Sequence, residues 1–214
     1  RPDSIEISRY YSNSSYDPHN QNQSIFAVLY SLIRSLVIRY RYILLKRYSK
    51  KKINSVLEVG GGKGDFCRYL GLKNINTICQ DPNANFEYSN VTMVDSLDKV
   101  ETGNKFDSIT MWHSLEHIHD IDNLFSNINK LTTSDATLFI AIPNKFAIDR
   151  YFFSDRWVAW DAPRHLYHFS YNDLYKLLSN NGWKIYANKT LYHDMVYNTL
   201  LSLKNEKYKY IKLI

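Results

Sequence analysis

Four of the seven glycines in the chain fall within five residues, and this spacing indicates a turn that lies against a bound ligand. Residues 56–66 read VLEVGGGKGDF, so the glycines follow a short β-branched apolar run that starts at Ser55. Glycine loses more backbone entropy on folding than other residues. This cost is offset only where the chain needs φ > 0 or where a ligand approaches bare backbone. Phe66, Tyr69 and Leu70 follow at helical spacing, which predicts the order strand, glycine turn, helix.

The residues around this turn restrict the ligand. The dinucleotide pattern G-x-G-x-x-G would need glycine or alanine at Asp65, and the phosphate-binding pattern G-x-x-x-x-G-K-[ST] is absent. Glu58 and Asp65 are unfavourable beside a pyrophosphate but suit a cationic group, such as the amino group of an amino acid. Asp81 ends the next apolar run, seventeen residues after Gly64, where a ribose diol would be hydrogen-bonded. A nucleoside joined to an amino acid is the chemistry of S-adenosylmethionine.

A second group of chemically active residues, His113, Glu116 and His117, fits the pattern H-x-x-E-H, in which two histidines one helical turn apart hold zinc. That chemistry requires both histidines on one helix, a third ligand and an acid that activates water. His113 instead directly follows a predicted buried strand. We therefore expect no metal in this site.

The elements that must position these residues alternate between strand and helix, which predicts an α/β fold with a doubly wound, mostly parallel sheet. The apolar runs that predict strands lie at residues 55–59, 75–80, 91–94, 106–112 and 136–142, and a helix is expected at 120–131. Parallel strands end at one edge of a sheet, where ligands bind. The residues that follow these strands, and so are expected to converge there, are Gly60, Asp81, Asp95 and His113.

From Asn54 to Tyr186 this order of elements resembles the class I S-adenosylmethionine-dependent methyltransferases. Residues 160–170, WDAPRHLYHFS, are similar to a tract of a bacterial branch related to the quinone and surface-sugar methyltransferases. The family's first motif is a strand that ends in an acid, followed by G-x-G-x-G, which Glu58 to Gly64 match; Glu58 replaces a common aspartate, and Gly61 a bulkier residue. The resemblance implies a Rossmann-like methyltransferase fold with an N-terminal helical extension.

The resemblance also implies S-adenosyl-L-methionine as the cofactor and gives roles to residues around it. Asp81 would bind the ribose, Asp95 would bind the adenine amino group, and Pro82 and Asn83 would lie near the adenine. The residues implied to bind the cofactor are Glu58, Gly60, Gly61, Gly62, Gly64, Asp81, Pro82, Asp95, Ser96 and His113.

A long aromatic connection, from Tyr151 to Phe169, follows the fifth predicted strand. Loops of this length in a compact domain are usually functional, and aromatic faces stack on sugar rings. A hydroxyl acceptor needs its proton removed, and a histidine with a pKa near neutral suits that task. The candidate catalytic bases are His165, His168 and His117.

Two further elements are expected after this connection. Ser170 and Asp173 predict a capping box at the start of a helix that stops at Gly182. Trp183–Leu191 is interpreted as a sixth strand. From His193 onward the pattern predicts an amphipathic helix whose end is either a last strand or a tail.

The first 52 residues are expected to form an N-terminal lid and helix, with the cofactor-binding domain at 53–214. Residues 1–23 are polar and form either a solvated leader or a lid that includes Tyr11, Tyr16 and His19. Ser24–Arg47 has the period of a helix. Arg34 ends its uncharged stretch after about ten residues, and a membrane span needs about twenty. We expect the helix to pack on the core of the domain. The alternative is an amphipathic helix on an anionic membrane, so peripheral membrane contact through residues 24–52 is also considered.

Composition bounds the function. The 214 residues, 44% of them hydrophobic, are enough for one sizeable core. The two cysteines, Cys67 and Cys79, lack a C-x-x-C spacing, which predicts free thiols and a cytoplasmic location.

Together these features predict an O-methyltransferase that acts on a small acceptor, such as a sugar or another cell-envelope precursor, in polysaccharide biosynthesis. The net charge of +6 suggests an RNA methyltransferase as the alternative. We expect no nucleic acid partner, because basic residues outside 46–52 form no continuous stripe. A non-catalytic cofactor-binding protein is the third hypothesis, and the oligomeric state is left open.

Overall fold

The computed structural model describes residues 2–3, 6–10, 25–83, 91–101, 103 and 105–211. The lid candidates Tyr11, Tyr16 and His19 lie outside these ranges. The chain divides into two compact units. We call residues 11–141 the sheet unit and residues 1–10 with 142–214 the helical unit.

The sheet unit contains a parallel sheet of five strands in the order β3-β2-β1-β4-β5. The strands are β1 Ser55–Val59, β2 Asn76–Gln80, β3 Thr92–Val94, β4 Phe106–Trp112 and β5 Thr132–Ala141. Chain order reverses between β1 and β4, as in a doubly wound sheet. The α/β, Rossmann-like fold expected from the sequence is therefore confirmed.

The central strands are buried on both faces and mostly apolar, with Glu58, Ser108 and Thr110 as their buried polar residues. In β1, Val56 to Val59 are all buried, and β4 is buried except at Asp107. Strands covered on both faces read as continuous rather than alternating apolar runs. Register then places Val59 opposite Gln80, so β1 and β2 end side by side and bring Gly60 next to Asp81.

The described part of the sheet unit contains the α-helices α1 Ile25–Tyr48, α2 Asp65–Gly71 and α3 Ile121–Leu131. The Asp120 carboxylate caps α3 by accepting from the Asn123 amide at 2.9 Å. The expectation that α1 packs its broad apolar face on the core is only partly met. Leu45 is fully buried, but Leu36 and Ile43 are more than half exposed.

The helical unit contains α4 Ile148–Phe153, α5 Tyr171–Asn180 and α6 Tyr192–Ile211. The predicted capping box of α5 is confirmed: the Asp173 amide donates to Ser170 Oγ at 3.2 Å, and the Ser170 amide donates to Asp173 Oδ2 at 2.8 Å. Gly182 follows the helix with φ +82°, as expected of a C′ glycine. Phe153, Trp157 and Ala159 form a buried cluster of this unit's own.

The predicted sixth strand at Trp183–Leu191 is wrong. Residues 183–190 form no regular secondary structure, and α6 begins at Tyr192. Alternating side chains favour an extended backbone, but a strand also needs a hydrogen-bonded neighbour, which the pattern does not specify. The segment after His193 is helical through Ile211 rather than a strand.

Among the described helices, none combines the length and the apolar character needed to cross a bilayer.

Candidate functional site

The glycine loop lies where β1 and β2 end. Gly60, Gly62 and Gly64 have φ of +72°, +56° and +72°, a region that favours glycine. The amides of Gly60 and Gly61 donate to the Gln80 carbonyl at 2.8 and 3.0 Å. The loop therefore folds back over the carboxyl end of β2, and its last glycine leads directly into α2.

Packing below the loop explains two of the glycines. A Cβ at Gly60 would lie 2.3 Å from Ser114 Cβ, and one at Gly61 would lie 2.2 Å from Cys79 Sγ. At Gly62, no heavy atom of the described residues lies within 4 Å of an added Cβ. The loop is thus closely packed underneath and open above Gly62, which is the space a ligand against bare backbone would occupy.

Asp81 connects the end of β2 to this loop. Its Oδ2 accepts a hydrogen bond from the Gly62 amide at 2.8 Å, and its Oδ1 accepts one from the Asn83 amide at 2.9 Å. A carboxylate has about four lone-pair sites, so each oxygen keeps capacity for one more donor. Asp81 can therefore fix the loop and still accept hydrogen bonds from a diol.

The next predicted cofactor residues lie after β2 and β3. Pro82 is exposed in the turn after β2. The Asp95 carbonyl accepts from Gln80 Nε2 at 2.9 Å, which ties the ends of the two strands together. The Asp95 carboxylate is half-exposed and binds Lys99 Nζ at 2.7 Å, and this hydrogen bond lowers its pKa. Ser96 caps the short 3-10 turn that follows by accepting from the Asp98 amide.

His113 lies at the end of β4 with φ +56°, and its amide donates to the Ala141 carbonyl at 2.9 Å. Its Nδ1 is 3.7 Å from Oε1 of the buried Glu116, an ion-pair separation rather than a hydrogen bond. Burial opposes ionisation of Glu116, but interaction with His113 and, more weakly, His117 outweighs it, so the pKa of Glu116 is lowered. A half-buried imidazole is thus positioned over a buried carboxylate at the edge of the sheet.

The H-x-x-E-H residues do not form the helix that a zinc site of that kind needs. His113 has left-handed backbone geometry, and Leu115–His117 is a 3-10 turn. His113 and His117 are therefore not one α-helical turn apart. The expectation that this site holds no metal stays a prediction.

Glu58 lies underneath the loop and is buried. Its Oε2 accepts a hydrogen bond from Cys67 Sγ at 3.1 Å, and a Cβ at Gly61 would lie 3.1 Å from Glu58 Cγ. Burial raises the pKa of Glu58 to about 7, against smaller opposing effects of Cys67 and Arg41. The Glu58 side chain is directed towards Cys67 and lies close to Cys79. Contact between Glu58 and the cofactor stays a prediction.

Asp65 has a partner within the protein. Its carboxylate pairs with the Arg34 guanidinium of α1. The sequence analysis had instead assigned this carboxylate to the cationic end of a ligand. Seven residues along α1, the Arg41 guanidinium lies 4.9 Å from the centroid of the Trp112 ring. Sequence analysis missed both contacts. The seven-residue spacing of Arg34 and Arg41, which puts them on one helical face, was the available signal.

The other two candidate bases, His165 and His168, belong to the helical unit. His165 Nδ1 is 2.9 Å from the Ala159 carbonyl, and its Nε2 is 3.6 Å from Asp161 Oδ2. His168 Nε2 is 2.9 Å from the Trp160 carbonyl, and its ring meets the Trp160 ring edge to face at 4.8 Å.

These contacts define the tautomers. A carbonyl oxygen only accepts hydrogen bonds, so the ring nitrogen facing it must carry the proton. His165 is therefore protonated at Nδ1, and its Nε2 faces the Asp161 carboxylate. His168 is protonated at Nε2, which leaves the Nδ1 lone pair as its acceptor.

The aromatic segment that carries these histidines is held by its own hydrogen bonds. Trp157 Nε1 donates to Asp149 Oδ2 at 2.8 Å, and Trp160 Nε1 donates to the Ser154 carbonyl at 2.7 Å. The two indoles meet edge to face at 5.3 Å. The Val158 amide donates to Ser202 Oγ of α6 at 3.0 Å. These hydrogen bonds and ring contacts therefore hold the segment in a defined conformation within the helical unit.

Comparison with known proteins adds a family to this geometry. Residues 33–188 match a family model described as a methyltransferase domain. A search of curated protein sequences gave no match.

Solved structures share the fold at low sequence identity. The YcgJ protein of Bacillus subtilis superposes with a TM-score of 0.51 at 16% identity, over 64% of this chain and 65% of that protein's length. A magnesium protoporphyrin IX methyltransferase from Synechocystis PCC 6803 with bound S-adenosylhomocysteine gives 0.54 at 16% identity, over 87% and 92% of the two chains. A plantazolicin methyltransferase, in complex with S-adenosylhomocysteine and a pentazolic desmethylPZN analogue, gives 0.55 at 16% identity over 84% and 69%. At such identities the likeness concerns the fold alone.

Proposed function

The chain belongs to the class I S-adenosylmethionine-dependent methyltransferases, and from that premise we propose that it methylates an oxygen of a small acceptor, such as a sugar or another cell-envelope precursor. Its cofactor is S-adenosyl-L-methionine, which supplies an electrophilic methyl group on a sulfonium. The protein's part is to bind this cofactor, orient the acceptor in line with the methyl group, exclude water and remove the acceptor's proton.

The residues proposed to hold the cofactor are those at the carboxyl ends of the parallel strands. Asp81 accepts hydrogen bonds from the ribose hydroxyls, and the open space above Gly62 takes the amino-acid part. Asp95 and Ser96, after β3, face the adenine, and His113 closes the edge after β4. The single observation that supports this arrangement best is the Asp81–Gly62 hydrogen bond, because it couples a ribose-binding acid to the loop.

The acceptor class is proposed from the aromatic segment. Trp160, His165 and His168 lie together in it, and the outer faces of Tyr151 and Phe152 are exposed. Aromatic faces of this kind stack on sugar rings, and histidines serve hydroxyl chemistry. The solved structures are named for magnesium protoporphyrin IX and for plantazolicin, so their acceptors do not define the acceptor of this chain.

His168 is the proposed general base. His168 would accept the proton of the acceptor hydroxyl on Nδ1, while its Nε2–H stays bound to the Trp160 carbonyl. The cofactor would supply the methyl group: its methyl–sulfur bond would break as the acceptor oxygen binds the carbon, and the electron pair would stay on the sulfur. His165 has a proton on Nδ1 and a carboxylate beside Nε2, which suits a positioning residue. His117, in the turn after β4, is the remaining candidate.

The proposal is tested by incubating the protein with methyl-labelled cofactor and separate pools of nucleotide sugars, lipid-linked sugars and total RNA. We expect label in a sugar pool and release of the demethylated cofactor. Label recovered only in RNA would contradict the acceptor class, although it would leave the methyltransferase assignment intact.

A further inference from the structure

The positive charge of the chain is concentrated in one segment. Residues 25–52, which comprise α1 and the residues after it, contain eight lysines and arginines and neither Asp nor Glu. The remaining 19 basic and 21 acidic residues are nearly balanced, so the net charge of +6 comes from this segment. The basic residues are Arg34, Arg39, Arg41, Lys46, Arg47, Lys50, Lys51 and Lys52.

One face of α1 anchors the helix to the sheet unit. Arg34 pairs with Asp65, Arg41 lies over Trp112, and Leu45 is fully buried. At about 100° per residue, these three positions lie within an arc of roughly 40°. The anchored face therefore determines which side chains point away from the sheet unit.

The opposite face carries a continuous apolar stripe. Its side chains are between 38% and 62% exposed, and they fall within an arc of about 100°. We call these residues the α1 stripe: Leu32, Ile33, Leu36, Tyr40 and Ile43. Exposed apolar residues that form a continuous stripe on a helix normally mark a surface that contacts another protein or a membrane.

Basic residues border the stripe. Arg39 and Lys46 lie along one edge, Arg47 lies at the C-terminal end, and the exposed run 50–52 continues beyond the helix. A helix with an apolar face, basic flanks and no acid has the composition of one that lies in the interface of an anionic bilayer. We propose that α1 docks the protein on such a membrane surface through the stripe and its basic border.

Charge favours a bilayer over the other occupants. A second copy would bring an identical basic segment against this one, and like charges in contact are unfavourable. RNA would neutralise the basic residues but would leave the aliphatic stripe exposed to water. Anionic lipids satisfy both features at once. The inference concerns residues 31–52 and is independent of which acceptor the enzyme uses.

Flotation with vesicles tests the docking on the full chain. Vesicles of equal parts phosphatidylglycerol and phosphatidylcholine are compared with phosphatidylcholine alone, at low salt and at about 0.5 M salt, where surface charges are screened. We expect binding to the anionic vesicles at low salt and much weaker binding in the other conditions. Equal binding to neutral vesicles, or none to anionic vesicles, would overturn the proposal.

Two pairs of variants locate the surface. Each basic residue near an anionic membrane contributes about fivefold, so Lys46→Gln with Arg47→Gln should lower vesicle binding roughly thirtyfold. The matched control is Lys73→Gln with Lys130→Gln, two exposed lysines of the same unit outside α1. Leu36→Ser should lower binding about fivefold or more, whereas Leu72→Ser should not, although Leu72, beyond α2, is even more exposed than Leu36.

Binding of S-adenosylhomocysteine by every variant serves as the check on folding. Losses of equal size in the control variants would contradict a role for α1. Tight, salt-sensitive binding of a labelled RNA without vesicle binding would assign the segment to nucleic acid instead. A concentration-dependent dimer that Leu36→Ser dissociates, again without vesicle binding, would assign the stripe to a second copy.

Discussion

The Asp81 carboxylate accepts a hydrogen bond from the Gly62 amide at 2.8 Å, between the ends of two neighbouring parallel strands. Its other oxygen accepts from the Asn83 amide at 2.9 Å. One side chain thus holds the glycine loop in shape and presents negative charge at the edge of the sheet. The loop and the acid act as one site because they share this hydrogen bond.

Replacement of Asp81 by Ala should weaken binding of S-adenosylmethionine and of its demethylated product roughly tenfold to a hundredfold, because a charged acceptor is lost and the loop amide loses its partner. Calorimetric titration measures both affinities. Asp122→Ala, which removes an exposed acid from α3, is the matched control and should leave both unchanged. Equal losses in the two variants would show that overall charge, rather than this contact, controls affinity.

Two glycines of the loop should respond differently to Ala. Gly60→Ala adds a Cβ 2.3 Å from Ser114 Cβ at a left-handed position, so unfolding free energy should fall by roughly 2–4 kcal/mol. Gly62→Ala has no clash with described residues and should cost only roughly 1–2 kcal/mol from backbone strain. Gly62→Ala places a methyl group in the proposed ligand space. The variant should therefore lose more binding free energy for the cofactor than unfolding free energy. Denaturant titration and calorimetry separate the two effects, with Gly103→Ala as control.

The exact bounds of a strand could be predicted where a buried apolar run ends at residues that break the run, such as glycine or histidine. β1 ends at the glycine cluster and β4 ends at His113, and both strands have the expected bounds. The capping box at Ser170 was equally predictable, since it depends on residues only three positions apart. Local signals of this kind need no knowledge of distant neighbours.

The failures concern partners that are distant in sequence. Trp183–Leu191 has strand-like alternation but pairs with no strand among the residues that the structure describes. Asp65 was interpreted as an acid that faces the ligand, yet it pairs with Arg34. The cofactor contact of Glu58, which accepts a hydrogen bond from Cys67, stays a prediction. A sequence shows which residues can ionise, but the separation of 31 positions between Arg34 and Asp65 hides their pairing.

Glu58 should make stability depend on pH in an unusual direction. Its pKa is raised from 4.5 to about 7, so the folded state holds a proton that the unfolded state releases at lower pH. This stabilisation is fully present below pH 4.5 and is lost as pH rises towards 7. From the size of the shift, the loss is on the order of 3 kcal/mol. Denaturant titrations across this pH range measure it.

Glu58→Gln is the control for that measurement, because the amide cannot ionise. Histidines titrate in the same range, so the relevant quantity is the difference between wild type and variant. We expect the variant to gain stability relative to wild type as pH rises. Parallel curves for the two proteins would contradict the assignment of the pKa shift to Glu58.

His168→Ala should lower turnover by roughly a hundredfold or more while leaving cofactor affinity unchanged, as removal of a general base does. His193→Ala, in α6, is the matched control and should retain full activity. If His168→Ala kept its rate and His165→Ala or His117→Ala lost it, the base would be reassigned.

The most direct measurement of the central claim is a crystal structure of the protein with S-adenosylhomocysteine. We predict ribose hydroxyls within hydrogen-bonding distance of the Asp81 carboxylate and the homocysteine part against the backbone of Gly60–Gly64. A nucleoside bound away from the ends of β1 and β2, or a ribose that contacts no carboxylate, would contradict it.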